Sequence, residues 1–276
     1  MNGPKMKRIV FYISDSTGIT VETIGRSLLT QFSSLEFETH TFRFINSEAK
    51  ALEVVEAINA VNGDDNDNGR PIVFSTLVDP TIRDHIEHSH CLYFDVMQAV
   101  LQPLADELGM PVRPTIGQSH GVVHNQDYDD RMTAVNFTLG SDDGLHTNHY
   151  DEADIILLGV SRSGKTPTSV FLALHYGINA ANYPLVEEDL ERLQLPRAIR
   201  EWRNKVFGLT IAPERLHSIR SERRPDSEYA SLRQCQYEIR QVEALYRQYG
   251  IKYVDVTHMS VEEIATSIMS QLKLKA

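Results

Sequence analysis

Residues 159–166 read Gly-Val-Ser-Arg-Ser-Gly-Lys-Thr, a complete G-x-x-x-x-G-K-[ST] loop. The apolar run Ile155-Ile156-Leu157-Leu158 precedes it, and Ser169 to Tyr176 follow it as a helical stretch that stops at Gly177. Strand, loop and helix are the context in which this motif binds phosphate. Backbone N–H groups at a helix N-terminus point toward an anion and carry the positive end of the helix dipole. Gly159, Val160, Ser161, Arg162, Ser163, Gly164, Lys165 and Thr166 are therefore the expected nucleotide-binding set. Lys165 is expected to reach the β-phosphate from an exposed loop, and Thr166 to offer its hydroxyl to Mg²⁺.

Outward from this loop the chain alternates strand and helix patterns. Strands are expected at 8–14, 39–44, 72–76 and 91–94, then at 154–158, 205–211 and 252–256. Ile24, Leu28 and Phe32 share one helical face, as do Val54, Ile58 and Val61. Pro103 should break or kink the pattern over 95–109. A helix fits 127–139 with Met132, Val135 and Leu139 inward and Gly140 as its stop. Asp226 and Ser227 can cap a long helix running to Gly250, and Ser260-Val-Glu-Glu263 is a capping box. The expected fold class is α/β: an N-terminal Rossmann-like parallel sheet over 1–145 and a C-terminal P-loop kinase-like domain over 146–276.

Composition narrows the function. Net charge is −11, which argues against broad nucleic-acid or anionic-membrane binding. Apolar runs fall short of a membrane span, and the stretch after the N-terminus is too short for a signal peptide. Cys91 and Cys235 have no paired spacing, which fits a reducing cytoplasm.

Further sites suggest themselves. Ser14-Asp15-Ser16-Thr17-Gly18 follows the first strand, where parallel α/β folds bind ligands; it reads as a second anion pocket or as a plain N-cap turn. Arginines at 215, 220, 223 and 224 follow the strand at 205–211. Phosphoryl transfer needs cations around the moving group, and a solvated face with Glu–Arg pairs is the other reading. Asp127, Asp129 and Asp130 at a helix start offer a general base or a metal ligand, or merely acids that suit a helix N-terminus. The acidic loop at 62–69 lacks the glutamate of a calcium site, and His85, His88, His90, His120 and His124 lack the partners of a zinc site.

Taken together, several segments form a family pattern. They are Ile13-Ser-Asp-Ser-Thr-Gly18, His120-Gly121, Tyr128-Asp-Asp-Arg131, Asp142-Asp-Gly144, the phosphate loop through Ser169, Ala180-Ala-Asn-Tyr-Pro184 and Phe207-Gly-Leu-Thr-Ile211. Pro213-Glu-Arg-Leu216, Ile219-Arg220, Tyr229 to Arg233 and Glu263-Ile-Ala265 complete it. The chain resembles the bacterial phosphoenolpyruvate synthetase regulatory proteins and, more distantly, the pyruvate, phosphate dikinase regulatory proteins. Position 141 is Ser where some relatives are expected to carry His.

The resemblance implies a bifunctional serine/threonine kinase and phosphotransferase. ADP would phosphorylate a threonine of the synthetase, and inorganic phosphate would remove that phosphoryl as pyrophosphate. With this reading, Lys165, Arg215 and Arg220 are the expected charge-stabilising residues, Asp130 or Asp129 the base, and Asp15 and Ser16 candidate contacts to phosphate or to the target. The synthetase is the expected partner, and the helix 227–249 offers an amphipathic face for a homodimer. An ATP-using small-molecule P-loop kinase and a non-catalytic nucleotide sensor remain the alternatives.

Overall fold

The computed structural model describes residues 7–61, 69–112 and 125–272. The chain forms two compact units, Met1–Gly121 and Val122–Ala276. The acidic loop at 62–68 and both His120 and His124 lie outside the described residues.

The first unit contains β1 (Lys7–Ile13), α1 (Ile19–Leu29), β2 (Glu36–Phe42), α2 (Glu48–Val61), β3 (Ile72–Ser75), α3 (Pro80–Glu87), β4 (Leu92–Asp95) and α4 (Gln98–Leu108). Its strands are parallel in the order β2-β1-β3-β4, with Val10 facing Thr39 on one side and Ile72 on the other. Side chains alternate across a strand, so β1 feeds two cores. Phe11 and Ile13 pack with Val54, Ile58, Val73 and Ile86, whereas Val10 and Tyr12 pack with Val21 and Phe74.

Two expectations change here. The buried face of α1 is Val21 and Gly25, while Leu28 and Phe32 are exposed. Gly25 lets the helix close on the sheet, because a Cβ there would stand 2.3 Å from the Tyr12 ring. A glycine thus marks the contact face, and apolar counting points to the wrong one. Helix α4 continues through Pro103 and has no buried residue of its own.

The second unit contains α5 (Asn125–Gly140), β5 (Ile155–Gly159), α6 (Lys165–Tyr176), β6 (Ala180–Pro184), α7 (Glu187–Arg192), α8 (Arg197–Arg200), β7 (Val206–Thr210), α9 (Pro213–Arg223), α10 (Leu232–Tyr249), β8 (Tyr253–Asp255) and α11 (Val261–Leu272). Its parallel order, β6-β5-β7-β8, repeats that of the first unit. The chain divides earlier than the sequence suggested, because α5 packs on α6 and β6 and belongs with the phosphate loop. Among the described side chains of α5 the buried ones are Ala134 and Thr138, and Leu139 points to solvent.

All of Ile155 to Leu158 are fully buried, as a central parallel strand covered on both faces requires. The long helix starts later than expected: Ser227 caps a short 3-10 turn, and Ser231 caps α10 by accepting from the Gln234 N–H at 3.2 Å. Its apolar stripe of Cys235, Ile239, Val242, Leu245 and Tyr246 is spent inside this unit's core, so it is not a free dimer face. The capping box at Ser260 and Glu263 forms in both directions.

Candidate active site

In an open sheet of this order, the crevice lies at the carboxyl ends of the first and third strands, where successive crossovers leave in opposite directions. In the second unit those strands are β5 and β7, and the loop 159–166 leaves β5 there. Gly159 has to be glycine: a Cβ would meet Ser163 Oγ at 2.6 Å and the Leu209 carbonyl at 3.0 Å. Gly164 takes the left-handed region, with φ of 89°, as the N-cap of α6. Arg162 does so as well, with φ of 73°, a costly conformation for a residue with a side chain. Beneath the loop, Tyr246 donates to the carbonyls of Leu158 at 2.7 Å and Leu209 at 3.1 Å, joining β5 to β7. Gly208 makes room for that ring.

Lys165 is not at an exposed tip. It is buried, and its Nζ donates to the Val160 carbonyl at 3.0 Å. Burial pushes its pKa down to about 8, against the pull of Asp143 and Asp142; Arg220 and Arg162 add to the fall. The ammonium therefore occupies its own cradle and is poorly solvated there. The hydroxyl of Ser163 is also buried without a partner. A lysine folded onto a loop carbonyl and an orphaned hydroxyl fit a site built for phosphate oxygens.

At the start of α6, the Thr166 hydroxyl donates to Asp142 Oδ1 at 2.8 Å. Asn182 on β6 donates to the same oxygen at 2.6 Å and accepts from the Asp143 N–H at 3.1 Å. Asp143 itself is exposed and held at φ of 49°. The structure thus brings two carboxylates to the loop that sequence reasoning did not rank as site residues. Only the Asp142-Asp-Gly144 motif hinted at them. Asp129 and Asp130, the expected bases, are exposed on α5 and make no side-chain hydrogen bond among the described residues.

Arg220 has another role than the one expected. Its guanidinium is fully buried and paired with Glu238 at 2.7 Å. It also donates to the carbonyls of Tyr229 and of Ser161 in the loop, each at 3.0 Å, and lies over the Tyr229 ring. Burial opposes its charge, but Glu238 outweighs burial and raises its pKa. With both terminal nitrogens committed to protein acceptors, Arg220 ties the loop at Ser161 to Tyr229 and Glu238. Arg215 is exposed in the first turn of α9, at the carboxyl end of β7.

In the first unit, Gly18 also caps a helix with a left-handed φ, of 79°. Here Asp15 is buried and accepts from the Val78 N–H at 2.9 Å, while Ser14 accepts from Ser16 N–H and Thr76 Oγ1. Burial raises the Asp15 pKa. An anion entering this turn would meet that carboxylate when it is ionised. His85 and His88 belong to α3 and its C-cap, and no metal-holding group of three His, Cys, Asp or Glu side chains occurs among the described residues. Among them, too, no helix is long and apolar enough to cross a membrane.

Comparison with known proteins agrees with this geometry. The kinase/pyrophosphorylase family matches residues 10–269. A protein of Pseudomonas aeruginosa strain LESB58 is 51% identical over 265 residues, covering 96% of both chains. One of Alkalilimnicola ehrlichii is 52% identical over 269 residues, covering 98% of this chain and 97% of its own. One of Stutzerimonas stutzeri is 50% identical over 264 residues, covering 96% of both. Each carries the name "Putative phosphoenolpyruvate synthase regulatory protein". With the phosphate loop, its bracing arginine and a match across nearly the whole chain, this protein belongs to the kinase/pyrophosphorylase family.

Proposed function

We propose that this protein is a cytoplasmic regulator of phosphoenolpyruvate synthase that phosphorylates a threonine of that enzyme with ADP and removes the phosphoryl with inorganic phosphate. The observation that carries the reading is a complete phosphate loop with a carboxylate bonded to its terminal hydroxyl, in a chain with this family match. In the forward step the threonine Oγ attacks the β-phosphorus of ADP. The new O–P bond forms as the bond to the bridging oxygen breaks, and that electron pair leaves with AMP. In the reverse step an oxygen of orthophosphate attacks the phosphothreonine phosphorus, giving pyrophosphate and the free hydroxyl. Both steps hold one phosphoryl group in line between two oxygens, so the cradle can hold the moving phosphoryl in each while a different group stands opposite the threonine oxygen.

Loop N–H groups and Lys165 hold the nucleotide phosphates. Lys165 must leave the Val160 carbonyl to do so, which exchanges one acceptor for a charged one. Thr166 and Asp142 are the residues that fit Mg²⁺, a hydroxyl and a carboxylate side by side; bound there, the ion would neutralise charge on the phosphates. Asp143 is the better base. Asp142 is already engaged by two donors, whereas Asp143 is exposed and its backbone is pinned by Asn182. Arg215, exposed in the first turn of α9 after the inner strand β7, is the cation we assign to the charge that develops during transfer.

The test is incubation with purified phosphoenolpyruvate synthase and β-labelled ADP, followed by mapping of the modified residue. Label on a threonine supports the reading. ATP freed of ADP should bind but not donate, because its γ-phosphoryl would occupy the space of the incoming hydroxyl. Transfer from ATP at the rate seen with ADP, with adenylate kinase excluded, would refute it in favour of an ATP-using kinase.

A further inference from the structure

Beside the phosphate loop lies a cavity of about 240 Å³ lined by Ser161, Arg162, Arg223, Arg224 and Tyr229. Its lining residues are three arginines, a serine and a tyrosine, with no acidic residue among them. Among the described residues, none of the three arginines forms an ion pair, and Glu238 is paired with Arg220. The Tyr229 hydroxyl donates to Ser161 Oγ at 2.9 Å, which fixes the wall between the cavity and the loop. Arg162 reaches this cavity from a loop position held at positive φ, so backbone strain is maintained where the cations converge. All three arginines are exposed, so solvent screens their mutual repulsion, but an anion held between them would be attracted to each.

We infer that this cavity is a second oxyanion subsite, adjoining the nucleotide cradle along Ser161 and Arg162, and that it takes an orthophosphate dianion. The cradle is formed by the loop N–H groups and Lys165, whereas Arg223 and Arg224 come from the end of α9. A tetrahedral dianion offers an oxygen to each of three separate donors, which a planar carboxylate does not. The assignment rests on the proposed reaction, in which orthophosphate is a co-substrate, but its binding is measurable without turnover.

Isothermal titration of orthophosphate into the intact protein saturated with ADP, at constant ionic strength, tests it. Orthophosphate is expected to bind with the cradle filled. Arg223→Ala/Arg224→Ala should weaken it at least tenfold while ADP affinity stays within twofold, which also shows that the variant is folded. Arg224→Gln alone should give an intermediate loss. Competition between orthophosphate and ADP, or unaltered orthophosphate affinity in the double variant, would overturn the subsite. A phosphothreonine peptide that binds there when orthophosphate does not would overturn it too. If orthophosphate binds as stated but the synthase gains no phosphothreonine, the subsite stands and the proposed reaction falls. If transfer proceeds and the double variant binds orthophosphate normally, the reverse holds.

Discussion

Replacing Arg220 by Met separates bracing of the loop from charge stabilisation of the reaction. The guanidinium makes two hydrogen bonds to Glu238, at 2.7 and 3.0 Å, and one each to the carbonyls of Ser161 and Tyr229. Met keeps much of the stem's volume and removes every one of these. Glu238 is then left as a largely buried carboxylate without its cation. Breaking one side of such a pair costs about 3–5 kcal/mol, much of it the stranded charge. Equilibrium denaturation in urea should show that loss. Pairing it with Glu238→Gln in a double-mutant cycle should recover part of it, because the stranded charge is gone. ADP affinity should also fall, since the Ser161 carbonyl loses its anchor and the loop its set geometry. If Arg220→Met unfolds within about 1 kcal/mol of the parent while turnover collapses at unchanged ADP affinity, the bracing role is wrong. Arg220 would then be the transition-state cation that the sequence suggested.

Other substitutions probe the remaining groups. Lys165→Met should abolish transfer, yet raise the stability of the ligand-free protein by about 1–3 kcal/mol, because a fall from 10.5 to about 8 reflects a charge buried at a cost; calorimetry with and without ADP reads both effects. Asp143→Asn should lower turnover by about a hundredfold or more with ADP affinity nearly unchanged, as expected of a base; an equal loss of affinity would make it a binding residue. Arg215→Ala should reduce turnover more than ADP affinity, and no effect on either would return it to a solvated surface. For Asp15, the folded pKa lies above the ordinary 3.8, so the folded state binds the proton more tightly and stability falls as pH rises from that value through the raised one. Asp15→Asn should flatten this slope and stabilise the protein at neutral pH, measured as unfolding free energy across that range.

The phosphate loop was legible because everything it needs is local: four apolar residues, a loop with glycines at both ends, and a helix. Strand β6 was not. Ala180-Ala-Asn-Tyr-Pro184 lacks β-branched residues and ends in proline, which an edge strand tolerates because its outer side needs no partner. The role of Arg220 was hidden for a different reason. Sequence shows four arginines within ten residues, and only Glu238, on the next long helix, decides which of them is buried. Asp142 likewise stands far from Thr166 in the chain, and the oxygen that joins them also accepts from Asn182 on β6, a strand the sequence did not reveal.

The repeated strand order supplies a comparison within the molecule. Each unit ends its first strand at a switch point, and in each a left-handed glycine opens the following helix. Topology and helix dipole are thus shared, yet the two turns are equipped in opposite ways. The turn after β5 gathers Lys165, a partnerless Ser163 hydroxyl and a bracing cation behind Ser161. The turn after β1 instead carries Asp15, whose carboxylate accepts from the Val78 N–H after β3 and repels anions when ionised. A free helix N-terminus is therefore not enough to assign phosphate binding in this fold. Among the described residues, Thr17 Oγ1 and Ser163 Oγ are both buried without a partner, so an orphaned hydroxyl does not separate the two turns either; the charge each turn carries does, Asp15 in the first and Lys165 in the second.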